Sequence, residues 1–156
     1  MKLNESVYND LMEITKHGPE NMKLNFYMRD DFRLPASFFQ TKLFKSIESL
    51  NSSKTVMSDE VFLQSNASNL TVSTLFITNE GINQKIKNSF LDSSKKVFRV
   101  CKTFEDQSTF SEDVILDGLS VEQIWDDEYN VEKPNGEKVV LRIDPWFVEY
   151  DWTRPE

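Results

Sequence analysis

The spacing of apolar positions changes period several times along the 156-residue chain. Val7, Leu11 and Ile14 recur at helical spacing with Met12 beside them, and His17-Gly18-Pro19 supplies a stop, so residues 5–17 read as a short amphipathic helix. Over 22–28, Met22, Leu24, Phe26 and Met28 alternate with Lys23, Asn25 and Tyr27, the two-residue repeat of a half-buried strand. Pro35 then precedes residues 37–50, where Phe39, Leu43, Phe44, Ile47 and Leu50 form a stripe facing away from Lys42, Lys45 and Glu48, and this pattern predicts a helix. Residues 60–65 and 70–78 are β-branched and aromatic runs separated by Asn66-Ala67-Ser68-Asn69, which predicts a hairpin. Capping residues at 78–81 introduce Ile82, Ile86 and Phe90 at four-residue spacing, hence a second helix, and residues 96–104 follow as a strand.

From residue 22 to 104 the predicted order is β-α-β-β-α-β. That order leads to an α+β expectation: an antiparallel sheet covered by two helices in the ferredoxin-like arrangement, with an N-terminal helix and a C-terminal β-hairpin extension. RNA-recognition modules share the order, but their third strand carries glycines and exposed aromatics that residues 70–78 lack, so only the architecture is inferred. The hairpin is the clearest local signal: residues 130–133 and 137–143 flank Pro134-Asn135-Gly136, and Asn-Gly suits a tight turn. Asp144-Pro145 interrupts the second strand, and Trp146–Trp152 resumes it as an edge or bent strand, because Pro145 has no N–H to donate. Between Phe104 and Asn130 an acidic loop is expected, with Val114-Ile115-Leu116 as a short docked segment.

Length and composition fit one domain, 1–156, made of the N-terminal helix (5–17), an α+β body (22–104) and an acidic β-rich extension (105–156). The chain has 14 basic and 11 acidic residues up to Phe104, and 4 basic and 15 acidic residues beyond it, so net +3 is followed by net −11. Such asymmetry suggests a near-neutral body with an acidic face. With one cysteine and one histidine, the sequence offers no disulfide framework and no multi-cysteine zinc site. No continuous apolar span marks a membrane segment or signal peptide, which suits a soluble, cytoplasmic protein.

The chemistry-bearing candidates lie mainly in the acidic third. If residues 146–152 are extended, Trp146, Val148, Tyr150 and Trp152 share one face, and Phe147, Glu149 and Asp151 share the other. Core packing is the bland account of the first face; aromatic anchors for a partner are the functional one. Acids also sit beside aromatics at Tyr27–Phe32, Trp125–Tyr129 and Glu149–Trp152, and their convergence would suit Mg²⁺, though no spacing matches a known metal loop. Cys101 reads as a small buried hydrophobe and His17 as a helix-terminal charge, since neither has a catalytic companion. Lys85, Lys87, Lys95, Lys96, Arg99 and Lys102 form the basic neighbourhood, read as a solvated face because the acidic third repels a polyanion.

The expectation is therefore a non-enzymatic intracellular binding module, adaptor or inhibitor, with no cofactor and no metal. Trp125, Asp126, Asp127, Glu128, Trp146, Glu149, Tyr150, Asp151 and Trp152 would meet a basic protein surface, in one form by competing with nucleic acid. Nucleic acid and membrane are disfavoured as direct partners. Two alternatives stand beside it: a structural subunit of a larger, for instance viral, assembly pairing through strands 138–143 and 146–152, and a metal-dependent hydrolase using the clustered carboxylates.

Overall fold

The computed structural model describes residues 2–15, 24–28, 34–52, 55–92, 94–103, 106 and 108–153. Helix α1 (Glu5–Thr15) follows a two-residue strand β1 (Lys2–Leu3), and β2 (Leu24–Met28) is the alternating segment. The expected helix and strand are thus present; their predicted ends at 16–17 and 22–23 lie outside the described residues. Beyond them come α2 (Lys42–Lys45), β3 (Ile47–Ser52), α3 (Asp59–Gln64), β4 (Asn69–Ser73), α4 (Asn79–Ser89) and β5 (Val97–Cys101). The last third contributes α5 (Glu112–Ile115) and strands β6 (Ser120–Trp125), β7 (Glu128–Glu132), β8 (Lys138–Ile143) and β9 (Phe147–Asp151).

These strands form one mixed sheet in the order β1-β2-β3-β4-β5-β9-β8-β7-β6. β1 to β5 run parallel in sequence order; β5, β9, β8, β7 and β6 pair antiparallel. The ferredoxin-like antiparallel sheet with two helices is therefore overturned. The error begins at residues 37–50, expected to be one helix. Thr41 caps only a single turn by accepting from the Phe44 N–H at 3.2 Å, and the Ser46 hydroxyl bonds back to the Lys42 carbonyl at 3.1 Å. Ser46, Ser49, Asn51 and Ser52 favour helix weakly, and pairing of Ile47–Ser52 between β2 and β4 prevails over the apolar period. A second error follows at 60–65, which is helix α3 with Asp59 and Glu60 in its first turn, not a strand. No 60–65/70–78 hairpin forms; α3 lies in the crossover that parallel neighbours β3 and β4 require.

The C-terminal strands are no appendage. From β5 the chain crosses to the far edge as β6, then returns as a meander that inserts β9 between β8 and β5. Residues 147–151 are consequently internal, not the edge strand expected from Pro145. The expected Asn-Gly turn is present: the Gly136 N–H reaches the Lys133 carbonyl at 2.9 Å, and Gly136 takes the φ of 85° that glycine tolerates. The acidic loop correctly contains a docked segment, α5, but also hides β6.

One sheet face is apolar and helix-covered. Leu50, Leu70, Val72, Phe98, Val100, Val148, Tyr150, Leu141 and Val131 bury here with Phe38, Leu43, Phe62, Ile82, Ile86 and Ile115. Phe98 stacks on Tyr150 at 5.0 Å and meets the Phe62 edge at 5.4 Å. Polar atoms in this layer are matched: the Lys85 ammonium donates to the carbonyls of Phe62 and Ser65, each at 2.8 Å, closing the C-terminal end of α3. Asn83 holds α5 to α4 by donating to Ile115 and Asp117 carbonyls at 2.7 and 2.9 Å.

Candidate functional site

The opposite sheet face is polar. Pairing registers place Asn51, Thr71, Arg99, Glu149, Arg142, Glu128 and Trp125 in one row across six neighbouring pairs of strands. At its centre the Arg99 guanidinium lies 3.9 Å from the Phe147 ring centre and that of Arg142 5.2 Å from it. Arg99 faces Glu149 at 3.7 Å, and Arg142 bonds Asp127 at 2.7 Å. Charge is therefore balanced within the row, and the planar guanidiniums rest on an aromatic face. Cys101 occupies the same face beside this group, half-buried, and burial pushes its thiol pKa up.

At one end of the sheet, the C-terminal ends of β3, β4 and β5 meet the β6–β7 and β8–β9 turns. Backbone hydrogen bonds stitch this rim together: Thr55 to Ser73 at 3.1 Å, Lys102 to Trp146 at 2.8 Å and Ile143 to Asp127 at 2.8 Å. Val56, Leu75, Phe76, Trp146, Ile124 and Trp125 all stand exposed along it, Trp125 at 70% and Trp146 at 65%. Apolar side chains concentrated at one end differ from the scattered exposure of ordinary surfaces. Interleaved with them are Asp126, Asp127, Glu128 and Asp144; the Asp144 carboxylate accepts the Trp146 N–H at 2.9 Å and fixes that turn. Beneath, Asp106 accepts from the Ser108 hydroxyl and the Lys102 ammonium, which hold its pKa down at about 2.

The expected partner-binding residues divide accordingly. Trp125, Asp126, Asp127, Glu128 and Trp146 come together at the rim, and Glu149 lies on the polar face just below. Tyr150 points the other way, fully buried, its hydroxyl 2.7 Å from that of Ser89. Asp151 and Trp152 sit at the opposite end of β9. There the Asp151 carboxylate accepts from Thr153, and the Lys133 ammonium covers the Trp152 ring. So the face proposed from 146, 148, 150 and 152 is a core face flanked by two terminal tryptophans, and the solvent-side residues are Phe147, Glu149 and Asp151.

Sequence reasoning missed Leu75 and Phe76 because residues 70–78 read as one strand, and it missed the Arg99–Phe147–Arg142 stack because cross-strand register is not visible locally. Among the described residues no group of three or more His, Cys, Asp or Glu side chains is placed to hold a metal ion, and Asp30, Asp31 and His17 lie outside them. The basic neighbourhood disperses: Lys85 is buried, while Lys96, Arg99 and Lys102 pair with Asp92, Glu149 and Asp106. Among the described residues no helix is long and apolar enough to cross a membrane. Comparison with protein-family models, with curated proteins and with solved structures finds no match.

Proposed function

We propose that the chain is a non-enzymatic binding module whose acidic, aromatic rim docks on a basic protein surface, as an adaptor or inhibitor. The supporting observation is the placement of exposed Trp125 and Trp146 in neighbouring turns with Asp126, Glu128 and Asp144 around them. Aromatic anchors supply contact area that leaves water on binding, and the net negative charge of the rim draws a cationic partner over a distance set by ionic strength. Asp127 contributes differently, since its charge is engaged by Arg142. The polar face below gives the rim a rigid base, each strand being held by neighbours on both sides from β5 to β7.

Affinity capture from cell extract tests this reading, using the wild-type chain, a Trp125→Ala/Trp146→Ala variant and an Asp126→Asn/Glu128→Gln variant. The expected result is one or more basic proteins retained by wild type, released by added salt and depleted from both variants. A retained set that is indifferent to salt and to both pairs of substitutions would overturn it.

A further inference from the structure

Strand β6 closes the sheet on the side away from β1, pairing with β7 along one edge and with no strand among the described residues along the other. All six of its residues are exposed. An open edge presents a row of backbone donors and acceptors, and folded proteins normally guard such an edge with proline, lysine or a bulge. Here Ser120–Trp125 contains neither proline nor lysine, and the one irregularity, between Gln123 and Trp125, leaves Ser120–Gln123 in regular register with β7. Val121, Ile124 and Trp125 leave apolar side chains beside the open edge.

From these features we infer that β6 is an acceptor strand: an extended, lysine- or arginine-bearing segment of a partner protein adds to it as the next strand of the sheet. Charge identifies the occupant. Residues 103–132 contain ten carboxylates and no lysine or arginine. Lys102, Arg142 and Lys138 from outside this segment pair with Asp106, Asp127 and Glu122, and the Tyr129 hydroxyl donates to Glu112, so the segment that carries β6 keeps a strongly negative net charge. A second copy of this chain would bring the same carboxylates against their own kind, and a polyanion would be repelled; a basic polypeptide is attracted. Main-chain hydrogen bonds then give affinity, alternate side chains of the added strand meet Val121, Ile124 and Trp125, and its basic residues answer the net negative charge of the segment around β6. This inference rests on the basic-partner reading and adds its mode of engagement.

The test uses the intact chain and two probes of equal charge: an alternating (Lys-Val)₄ peptide with blocked ends and the same peptide N-methylated at every residue. Strand addition predicts that the unmethylated peptide slows hydrogen exchange of those 120–125 amides that point away from β7 by about tenfold or more, and that N-methylation weakens binding by at least about tenfold through loss of its donors. Equal binding of both peptides without protection at 120–125 would overturn strand addition while leaving a charge-based basic-partner surface standing. No binding of the unmethylated peptide at low salt would also overturn it, with the capture experiment then judging the broader reading alone. Protection of the same amides in peptide-free protein, accompanied by a dimer in sedimentation, would assign the edge to a second copy and overturn the inference.

Discussion

Tyr150 shows how a residue in the most aromatic stretch of the chain becomes a framework residue. Its ring stacks on Phe98, and its hydroxyl shares a 2.7 Å hydrogen bond with that of Ser89, which also reaches the Ile86 carbonyl at 2.6 Å. Tyr150→Phe should cost about 0.5–1.5 kcal/mol, the net value of one hydrogen bond, and Tyr150→Ala about 3–5 kcal/mol, both measured by urea unfolding. Burial pushes the Tyr150 phenol up to about 12 from its ordinary 10. The unfolded chain therefore releases this proton first, and the group's contribution is full below pH 10 and lost as pH rises toward 12. The stability difference between wild type and Tyr150→Phe should shrink over that interval; a constant difference would show that the phenol is not shielded. Trp146 behaves oppositely: its Ala variant should leave stability within about 0.5 kcal/mol and instead speed dissociation from a captured partner. Sequence alternation correctly separated the two faces of residues 146–152, but which face met the helices depended on β9 entering between β5 and β8, a long-range event with no local signal.

At the level of elements, legibility followed contact distance. α1, α4, β2, β5 and the Asn-Gly hairpin were visible because propensity, period and turn chemistry agree within each segment. β3 and α3 were exchanged in type for different reasons: pairing with β2 and β4 prevailed over the helical period of residues 37–50, while 60–65 is a short run in which periodicity cannot arbitrate and the crossover between parallel strands decided it. The junction of α3 and α4 is itself testable. Asp59 in α3 accepts from the Thr78 N–H at 2.8 Å and its hydroxyl at 2.6 Å, and Gly81 packs against that carboxylate. Alanine at an ordinary helix glycine stabilises by up to about 1 kcal/mol. At Gly81 the added methyl would displace Asp59, so Gly81→Ala should destabilise by about 1–3 kcal/mol. In an Asp59→Ala background the same substitution should become neutral or stabilising. Additive costs in the double variant would refute this contact. β6 was hidden for a different reason: its acids and exposed apolar residues resemble a loop until β7 supplies a partner strand.

Across the whole molecule, the division seen in the charge count becomes a spatial one. The parallel half of the sheet comes from the near-neutral sequence and the antiparallel half largely from the acidic sequence, joined at β5 and β9. A continuous sheet carries the rim, so the carboxylates of the β6–β7 turn are held in place relative to Trp146 and the loops after β3 and β4. Long-range attraction from fixed charges governs encounter, whereas aromatic contact governs residence. The most direct measurement is therefore the association rate with a captured basic partner as a function of ionic strength, for wild type and for Asp126→Asn/Glu128→Gln. The account predicts that the wild-type rate falls as salt is raised, that the variant associates more slowly with a shallower dependence, and that the dissociation rates of the two agree within about threefold. Identical, salt-independent association rates would contradict it.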